Sequence, residues 1–303
     1  MTANSLRNRT GAELSMLVVA LIWGTTFVIV KNGLNDIEPF LFLGLRFILA
    51  FLVMAVLAAS KIFCAPLTTW LMGSLLGVFL FVGYTFQTIG LQYTTSSNAG
   101  FITGVSVVLV PILDSIIKRT RPTWSTVATV LIAAVGLYLL SVPAGRFYLS
   151  SGDLLVLVCA FGFAIHIVLV ARYSHKHDPV AITAVQILFV GVVCMAIGLF
   201  TETWPVRFTT NAMGAILITS ILATSLAFLL QNALQKYSTP TRFAVVLTME
   251  PVFAALAGYF AANELFSDRA LIGAACILSA MLISVLVRPR KSSPDLNDEK
   301  VQV

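Results

Sequence analysis

The chain has 303 residues, of which 58% are hydrophobic and only 11% are charged, and its mean hydropathy is +0.95. Soluble domains carry about 25% charged residues, so this composition indicates an integral membrane protein with little soluble mass. The net charge of +6 does not indicate a nucleic-acid partner, because the basic residues lie near the ends of apolar runs, where they set membrane topology.

Ten apolar runs predict ten transmembrane helices, because about 20 apolar residues cross roughly 30 Å of hydrocarbon. In chain order the runs cover residues 14–34, 39–60, 69–91, 98–117, 122–142, 152–173, 179–200, 211–234, 240–262 and 268–287. The first run is full length, so we interpret it as a retained span and not as a cleaved signal sequence. We therefore predict an all-α integral membrane protein in which short loops join antiparallel neighbours.

The basic residues predict the orientation of these spans. If the N-terminus is cytoplasmic, thirteen Lys and Arg residues lie in inner segments and four lie in outer segments, namely Lys31, Arg146, Arg207 and Arg269. Short cytoplasmic loops carry such an excess. We expect both termini to be cytoplasmic, with residues 1–13 as a short N-terminal segment and residues 289–303 as a polar tail.

The chain also repeats itself. Residues 17–53 align without a gap with residues 157–193, Pro111 aligns with Pro251 at the same shift, and Gln87 aligns with Gln231 at a shift of four more. Because each half contains five spans, the second half should be inserted upside down. We predict two inverted five-helix repeats, 14–145 and 146–288. Inverted repeats with interrupted helices indicate a secondary transporter whose site lies near the midplane.

The order of several short motifs resembles the EamA family of the drug/metabolite transporter superfamily. The motifs are ALIWGTTFV at 20–28, LQYTT at 91–95, PIL at 111–113, LQKYS at 234–238 and EPVFAAL at 250–256. One departure is the basic segment KRTRP at 118–122, where the family usually has an acid; Glu264 keeps the equivalent acid in the second repeat. The resemblance implies a ten-helix carrier of small metabolites or drugs, often an exporter of amino acids in the bacterial inner membrane.

Glu250 is the leading functional candidate, because a charge in the middle of a span usually faces a bundle interior or a wet cavity. It is either a carboxylate that binds a proton or a substrate amine, or a structural acid bonded to a hydroxyl such as that of Thr248. Pro251 follows it directly and should break the helix, as should Pro111. We expect the two prolines to mark bends that act as gates.

Five other residues are candidates for the lining of a cavity: Arg46, His166, Gln87, Gln231 and Trp23. A guanidinium binds carboxylates in a two-pronged contact, and a histidine titrates in the range that suits proton coupling. For each residue the alternative is a packing or helix-joining role. The four scattered cysteines support neither a metal site nor a disulfide framework, and no cofactor is expected.

The function expected from these observations is transport by alternating access. We predict a cavity lined by spans one, three, four, six, eight and nine, a small-molecule substrate, export, and coupling to protons. No ATP-binding motif is present in the sequence. An uncoupled facilitator, a channel and a membrane-embedded enzyme remain as alternatives, and the sequence leaves the oligomeric state open.

Overall fold

The computed structural model describes residues 3–94, 96–141, 150–204, 208–262 and 268–286, and within these ranges the chain is helical, without strands. The α-helices are α1 (Ala3–Gly33), α2 (Pro39–Phe63), α3 (Leu67–Tyr93), α4 (Ser96–Gly104), α5 (Ser106–Lys118), α6 (Trp124–Ser141), α7 (Ser151–Tyr173), α8 (Pro179–Thr201), α9 (Thr210–Ile218), α10 (Ala227–Leu234), α11 (Pro240–Leu247), α12 (Met249–Ala262) and α13 (Asp268–Leu286). A π-helical segment, Thr219–Leu226, joins α9 to α10.

Seven helical stretches in the described ranges are long and apolar enough to cross a membrane. They contain α1, α2, α3, α7, α8, the α9–α10 rod and the α11–α12 pair. Two shorter apolar stretches, Trp124–Gly136 and Leu271–Ala280, lie in α6 and α13. The expectation of an all-α membrane protein is confirmed. The fourth expected span is divided into two short helices, α4 and α5, so the count of ten stays a prediction.

One side of the molecule, here called the N-terminal side, holds the beginning of α1. Glu13, near that beginning, accepts hydrogen bonds from Ser238 and from Arg242 at the start of α11. The turn Ser174–Lys176 before α8 packs against the turn Gln235–Tyr237 before α11. On the same side, the Thr69 hydroxyl at the start of α3 lies 2.9 Å from Nδ1 of His177, which precedes α8. The starts of α1, α3, α8 and α11 therefore share the N-terminal side, as expected for helices that alternate in direction.

The opposite side of the molecule holds the ends of α1 and α3 and the start of α7. The Lys31 ammonium at the end of α1 donates to the carbonyl of Thr94 after α3. The Thr94 hydroxyl in turn donates to Asp153, whose carboxylate also caps the first turn of α7 together with Ser150. The helix α7 therefore begins on the side opposite to the beginning of α1.

The start of α2 is capped by an acid from another helix. The Glu202 carboxylate, just after α8, accepts from the backbone N–H groups of Phe40 at 2.8 Å and Leu41 at 2.7 Å. In return, Glu38 accepts from the Thr203 hydroxyl and N–H. These bonds from Thr203 lower the pKa of Glu38, whereas burial raises the pKa of Glu202. The two acids thus join the neighbouring ends of α2 and α8.

Removal of the Glu202 cap should destabilise the fold. We expect Glu202→Ala to lower the free energy of unfolding by about 1 kcal/mol, the usual effect of losing a helix N-cap. Unfolding in detergent, followed by circular dichroism, measures the change. Glu38→Gln is the control and should have a smaller effect, because the partners of Glu38 lie outside a helix start. Since the pKa of Glu38 is lowered, the bonds from Thr203 to its carboxylate weaken only as the pH falls into the acid range. An unchanged unfolding curve for Glu202→Ala would contradict the cap.

Glycines bring several helices unusually close together. A Cβ at Gly24 would lie 2.5 Å from the carbonyl oxygen of Glu250 and 2.9 Å from the backbone nitrogen of Ala254. Helix α1 therefore touches the backbone of α12 at this point. Small residues at helix crossings allow such contacts inside membranes. This crossing places the middle of α1 directly beside Glu250.

A methyl group at that crossing should push the helices apart. We expect Gly24→Ala to cost about 1–3 kcal/mol of stability, the range for overpacked sites, because the atoms that it meets are two backbone atoms and the Cβ of Phe253, none of which can rotate away. Gly214→Ala is the matched control, since a Cβ at Gly214 meets nothing within 4 Å. The thermal midpoints of both variants in the same detergent test the expectation. Equal midpoints would show that α1 and α12 are not in close contact.

Candidate functional site

A central cavity lies among the middle parts of α1, α2, α3, α7, α10 and the two interrupted helix pairs, α4–α5 and α11–α12. Its atom-free volume is about 860 Å³, including the part that opens to the outside. The structure brings all six predicted site side chains to this cavity, namely Trp23, Arg46, Gln87, His166, Gln231 and Glu250. They come from six different helices, so only the fold unites them.

The cavity extends toward the opposite side of the molecule. Val30, Leu91 and Gly100, near the helix ends on that side, contribute to its wall. Toward the N-terminal side, an apolar cluster packs between the helices, with Met16 of α1 and Phe243 of α11 among its buried members. The cavity therefore reaches closer to the opposite side than to the N-terminal side.

Both interrupted helix pairs border the cavity. The first pair is interrupted at Val105 and the second at Thr248. Pro251 follows the second interruption by three residues and has no N–H, so it cannot form a helical bond to the carbonyl of Leu247, the last residue of α11. Pro111 lies farther along, inside α5. The interruptions therefore precede the prolines that suggested them, by different distances in the two halves.

Glu250 is the second residue of α12, and its side chain lines the cavity. The first turn of a helix favours a negative charge, because its N–H groups carry a partial positive charge. Among the described residues, none forms a hydrogen bond or an ion pair with this carboxylate. The Thr248 hydroxyl, considered as its partner, donates to the Val245 carbonyl. The Glu250 carboxylate is therefore available to a proton or a solute.

Arg46 supplies a positive charge to the same cavity. Its side chain is 3% exposed, its Nε donates to the Thr224 hydroxyl at 2.8 Å, and its guanidinium lies over the rings of Tyr84 and Phe47, 4.7 and 5.3 Å from their centroids. No carboxylate of the described chain lies within ion-pair distance of it. Aromatic faces stabilise a cation without neutralising it, so Arg46 can still bind an anionic group.

The π-helical segment positions two of these side chains. The carbonyl of Ala223 accepts from Trp23 Nε1 at 2.8 Å, and the next residue, Thr224, holds Arg46. The Ser225 hydroxyl donates to the Ala50 carbonyl of α2. Wide helical turns of this kind often occur at functional sites. This segment was not predicted, although the hydroxyl residues within an apolar run could have indicated it.

The polar residues His166, Gln87 and Gln231 have different surroundings. His166 Nε2 lies 2.7 Å from Gln186 Oε1, and since that oxygen only accepts, the Nε2 nitrogen carries the proton. Gln87 donates to the Thr103 hydroxyl at 3.1 Å. The Oε1 of Gln231 is buried, without a partner among the described residues. Gln231 therefore has the most unused hydrogen-bonding capacity of the three.

An aromatic cluster forms one wall of the cavity. Phe228 lies at its centre, with ring centroids 5.3 Å from Trp23, 6.0 Å from Tyr84 and 6.0 Å from His166. Phe163 packs edge-on against Tyr84 at 5.2 Å. Phe228 was not among the predicted residues. Because it lies in a run of apolar residues, no local pattern distinguishes it from a lipid-facing phenylalanine.

Comparisons with known proteins indicate the family to which this chain belongs. The model of the EamA-like transporter family matches residues 10–142 and again 150–286. An uncharacterized transporter of Archaeoglobus fulgidus is 37% identical over 90% of this chain and 85% of its own length. A WAT1-related chloroplastic protein of Arabidopsis thaliana is 28% identical over 86% of this chain and 66% of its own length.

A solved structure supports the fold. A crystal structure that is 20% identical matches 91% of this chain and 98% of its own with a TM-score of 0.76. Glu264, the acid expected in the second repeat, and the junction at 145–146 lie outside the described residues. The family model nevertheless covers both halves of the chain. The chain belongs to the EamA-like transporter family of the drug/metabolite transporter superfamily and is a membrane transporter.

Proposed function

We propose that the protein is a secondary transporter that carries small metabolites through the central cavity by alternating access. The observation that carries the proposal is the presence of two opposite charges, Glu250 and Arg46, in one cavity without a protein partner of opposite charge in the described chain. Unpaired charges inside a membrane are costly and usually mark the path of a substrate or ion. A bound solute would supply the missing partners.

The two charges favour a small amphipathic substrate, such as an amino acid or a related compound. A carboxylate of the solute would bind the Arg46 guanidinium, and an ammonium group would bind Glu250. The wall formed by Trp23, Tyr84 and Phe228 would receive an apolar or drug-like portion. Gln231 Oε1, which is unpartnered among the described atoms, offers a further acceptor for a donor group of the solute.

The arrangement of two inverted repeats, 14–145 and 146–288, remains part of the proposal. Three pairs of helices that pack together support it: α2 with α8, α5 with α11, and α6 with α13. In the first and last of these pairs the partners have equivalent places in the two halves, whereas α5, the second part of the fourth span, packs on α11, the first part of the ninth. The opposite starting sides of α1 and α7 support the inversion. The interruptions at Val105 and Thr248 support matching gates beside Pro111 and Pro251.

The proposal includes export as the direction of transport and coupling of transport to protons. Glu250 is the residue proposed to exchange a proton with the solute, and His166 is a secondary candidate. The excess of basic residues on the N-terminal side supports cytoplasmic termini, and a bacterial inner membrane is part of the proposal. The family model and the name of the archaeal relative, an uncharacterized transporter, support a carrier and not an enzyme. No cofactor or nucleic-acid partner is proposed, and the oligomeric state is left open.

The ion pair between Glu13 and Arg242 is proposed to hold the N-terminal side closed. The two side chains are buried, lie 3.4 Å apart and join α1 to α11. We expect Glu13→Gln to weaken this closure and to shift the population toward opening on the N-terminal side. Trypsin or labelling reagents applied to that side would report the change as faster modification. The exposed, distant Lys61→Gln is the control, and equal modification of both variants would contradict a closing role.

The direct test of function is transport by purified protein in vesicles. Metabolite profiles of cells with and without overexpression select candidate solutes, which are then loaded into proteoliposomes. A carrier shows saturation and counterflow of labelled solute, whereas a channel shows conductance without saturation. Accumulation driven by a pH step distinguishes a coupled carrier from a facilitator. Absence of any saturable, protein-dependent flux across the profiled solutes would refute the proposal.

A further inference from the structure

A second cavity lies on the N-terminal side, below the central one. It is formed by the ends of α5 and α7, the segment after α10 and the start of α11. Its atom-free volume is about 910 Å³, including the part open to the outside. Neither the family resemblance nor the comparisons assign a role to it.

Only a thin layer separates the two cavities. Ile167 lines the central cavity, and the next residue, Val168, lines the second one. Gln231 lines the central cavity, and Gln235, one helical turn later, lines the second. The Gln235 amide donates to the Ile167 carbonyl at 2.6 Å and so ties the two sides of this layer together.

The lining of the second cavity has uncompensated positive charge. Among the described residues that line it, the only acid is Asp114, which is already paired with Lys118 at 2.9 Å. Arg172 and Lys236 have no carboxylate within ion-pair distance in the described chain, and each lies against the ring of the tyrosine that follows it. Two cationic groups therefore face this cavity without an acidic partner.

Two neutral groups also have unused hydrogen-bonding capacity. Gln235 is fully buried, at 0% exposure, and its Oε1 has no partner in the described part of the chain. The Thr239 hydroxyl caps the start of α11 by accepting from the Arg242 N–H, which leaves its own hydrogen available. The partial positive charge at the start of α11 adds to the attraction for an anion.

We propose that the second cavity is a binding site for the anionic oxygen group, carboxylate or phosphate, of a small solute on its way to or from the central cavity. Arg172 and Lys236 bind the anionic group, and Gln235 Oε1 accepts from a donor elsewhere on the solute. The place of the site on a transport path rests on the proposed function. The preference of the site for anions does not depend on the proposed function and is tested separately.

The test compares the reactivity of a cysteine in this cavity with charged thiol reagents. Ala171 lines the cavity on α7, so Ala171→Cys is introduced into protein whose other cysteines are replaced by alanine. A second variant keeps only the natural Cys64, which is exposed and, like Ala171, lies close to a basic residue, Lys61. Both are treated with a sulfonate-bearing and a trimethylammonium-bearing methanethiosulfonate.

For each cysteine we take the ratio of the labelling rate with the sulfonate reagent to that with the trimethylammonium reagent. We expect this ratio to be about tenfold higher at Ala171→Cys than at Cys64, since a cleft of one charge sign concentrates ions of the other. Added Arg172→Gln and Lys236→Gln should bring the ratio close to that at Cys64. Inorganic phosphate or acetate at millimolar concentrations should slow the labelling at Ala171→Cys, and chloride should not. Equal ratios at the two cysteines, or no protection by either anion, would overturn the proposal.

The lipid composition separates a solute from a lipid headgroup. The assay is run in phosphatidylcholine nanodiscs with and without phosphatidylglycerol. Protection by added phosphate in pure phosphatidylcholine supports a solute site. Protection that requires phosphatidylglycerol and is unaffected by added phosphate or acetate would overturn the solute assignment. Labelling needs no transport, so a failure of the proposed function leaves this result interpretable.

Discussion

Glu250→Gln is expected to lower saturable transport about 10- to 100-fold, which corresponds to the loss of a hydrogen bond to a charged group worth about 1.5–3 kcal/mol. The amide keeps the shape of the side chain but removes its charge and its proton site. Because no described residue bonds to the carboxylate, the fold should not depend on it. The initial rate of labelled solute uptake into proteoliposomes measures the effect.

Two controls separate the charge of Glu250 from its packing. Glu250→Asp keeps the charge one methylene farther back and should retain part of the transport. Glu38→Gln removes an exposed acid outside the spans and should transport normally. If proton coupling is right, the glutamine variant also loses accumulation driven by a pH step, while any exchange that remains becomes independent of pH. Normal, pH-driven accumulation by Glu250→Gln would remove this residue from the mechanism.

Arg46→Gln is expected to weaken binding of carboxylate-bearing solutes by about 10- to 100-fold, again the loss of a contact worth about 1.5–3 kcal/mol. Solutes without an anionic group should lose much less. The reason is that the guanidinium has aromatic and hydroxyl neighbours but no carboxylate partner in the described chain. Competition between labelled and unlabelled solutes measures both affinities in the same vesicles.

Two further variants test the role of Arg46, one conservative and one at a neighbouring residue. Arg46→Lys keeps the charge but loses the planar two-pronged geometry, so an intermediate affinity is expected. Thr224→Val removes the bond to Nε while leaving the charge, and its effect should be smaller than that of Arg46→Gln. Equal losses for solutes with and without a carboxylate would instead assign Arg46 to packing alone.

The membrane character and the residues of the candidate site could be predicted because they depend on strong local signals. A carboxylate beside a proline, such as Glu250, and an arginine deep in a span, such as Arg46, are rare in apolar runs and costly unless they face polar space. The internal repeat placed Gln87 and Gln231 in matching positions, and both line the cavity. These signals identify the polar residues inside the membrane, whereas the packing of the helices determines which groups those residues contact.

Other features could not be predicted, since they depend on how distant helices are rotated against each other. The bond between Trp23 and the Ala223 carbonyl joins residues 200 positions apart, and its acceptor lies in the π-helical segment. The ion pair of Glu13 with Arg242 likewise spans the chain. The interruption of the fourth span lies at Val105, well before Pro111, so the position of the proline alone does not locate it.

The central claim is that Glu250 and Arg46 face a water-filled cavity that opens to one side at a time. The most direct measurement uses Gln87→Cys, on the cavity wall, in a protein without other cysteines, treated with a membrane-impermeant maleimide from either side of the membrane. The account predicts labelling from the opposite side in the unmodified background and added labelling from the N-terminal side when Glu13→Gln is present. No labelling from either side in either background would show a dry interior and contradict the account.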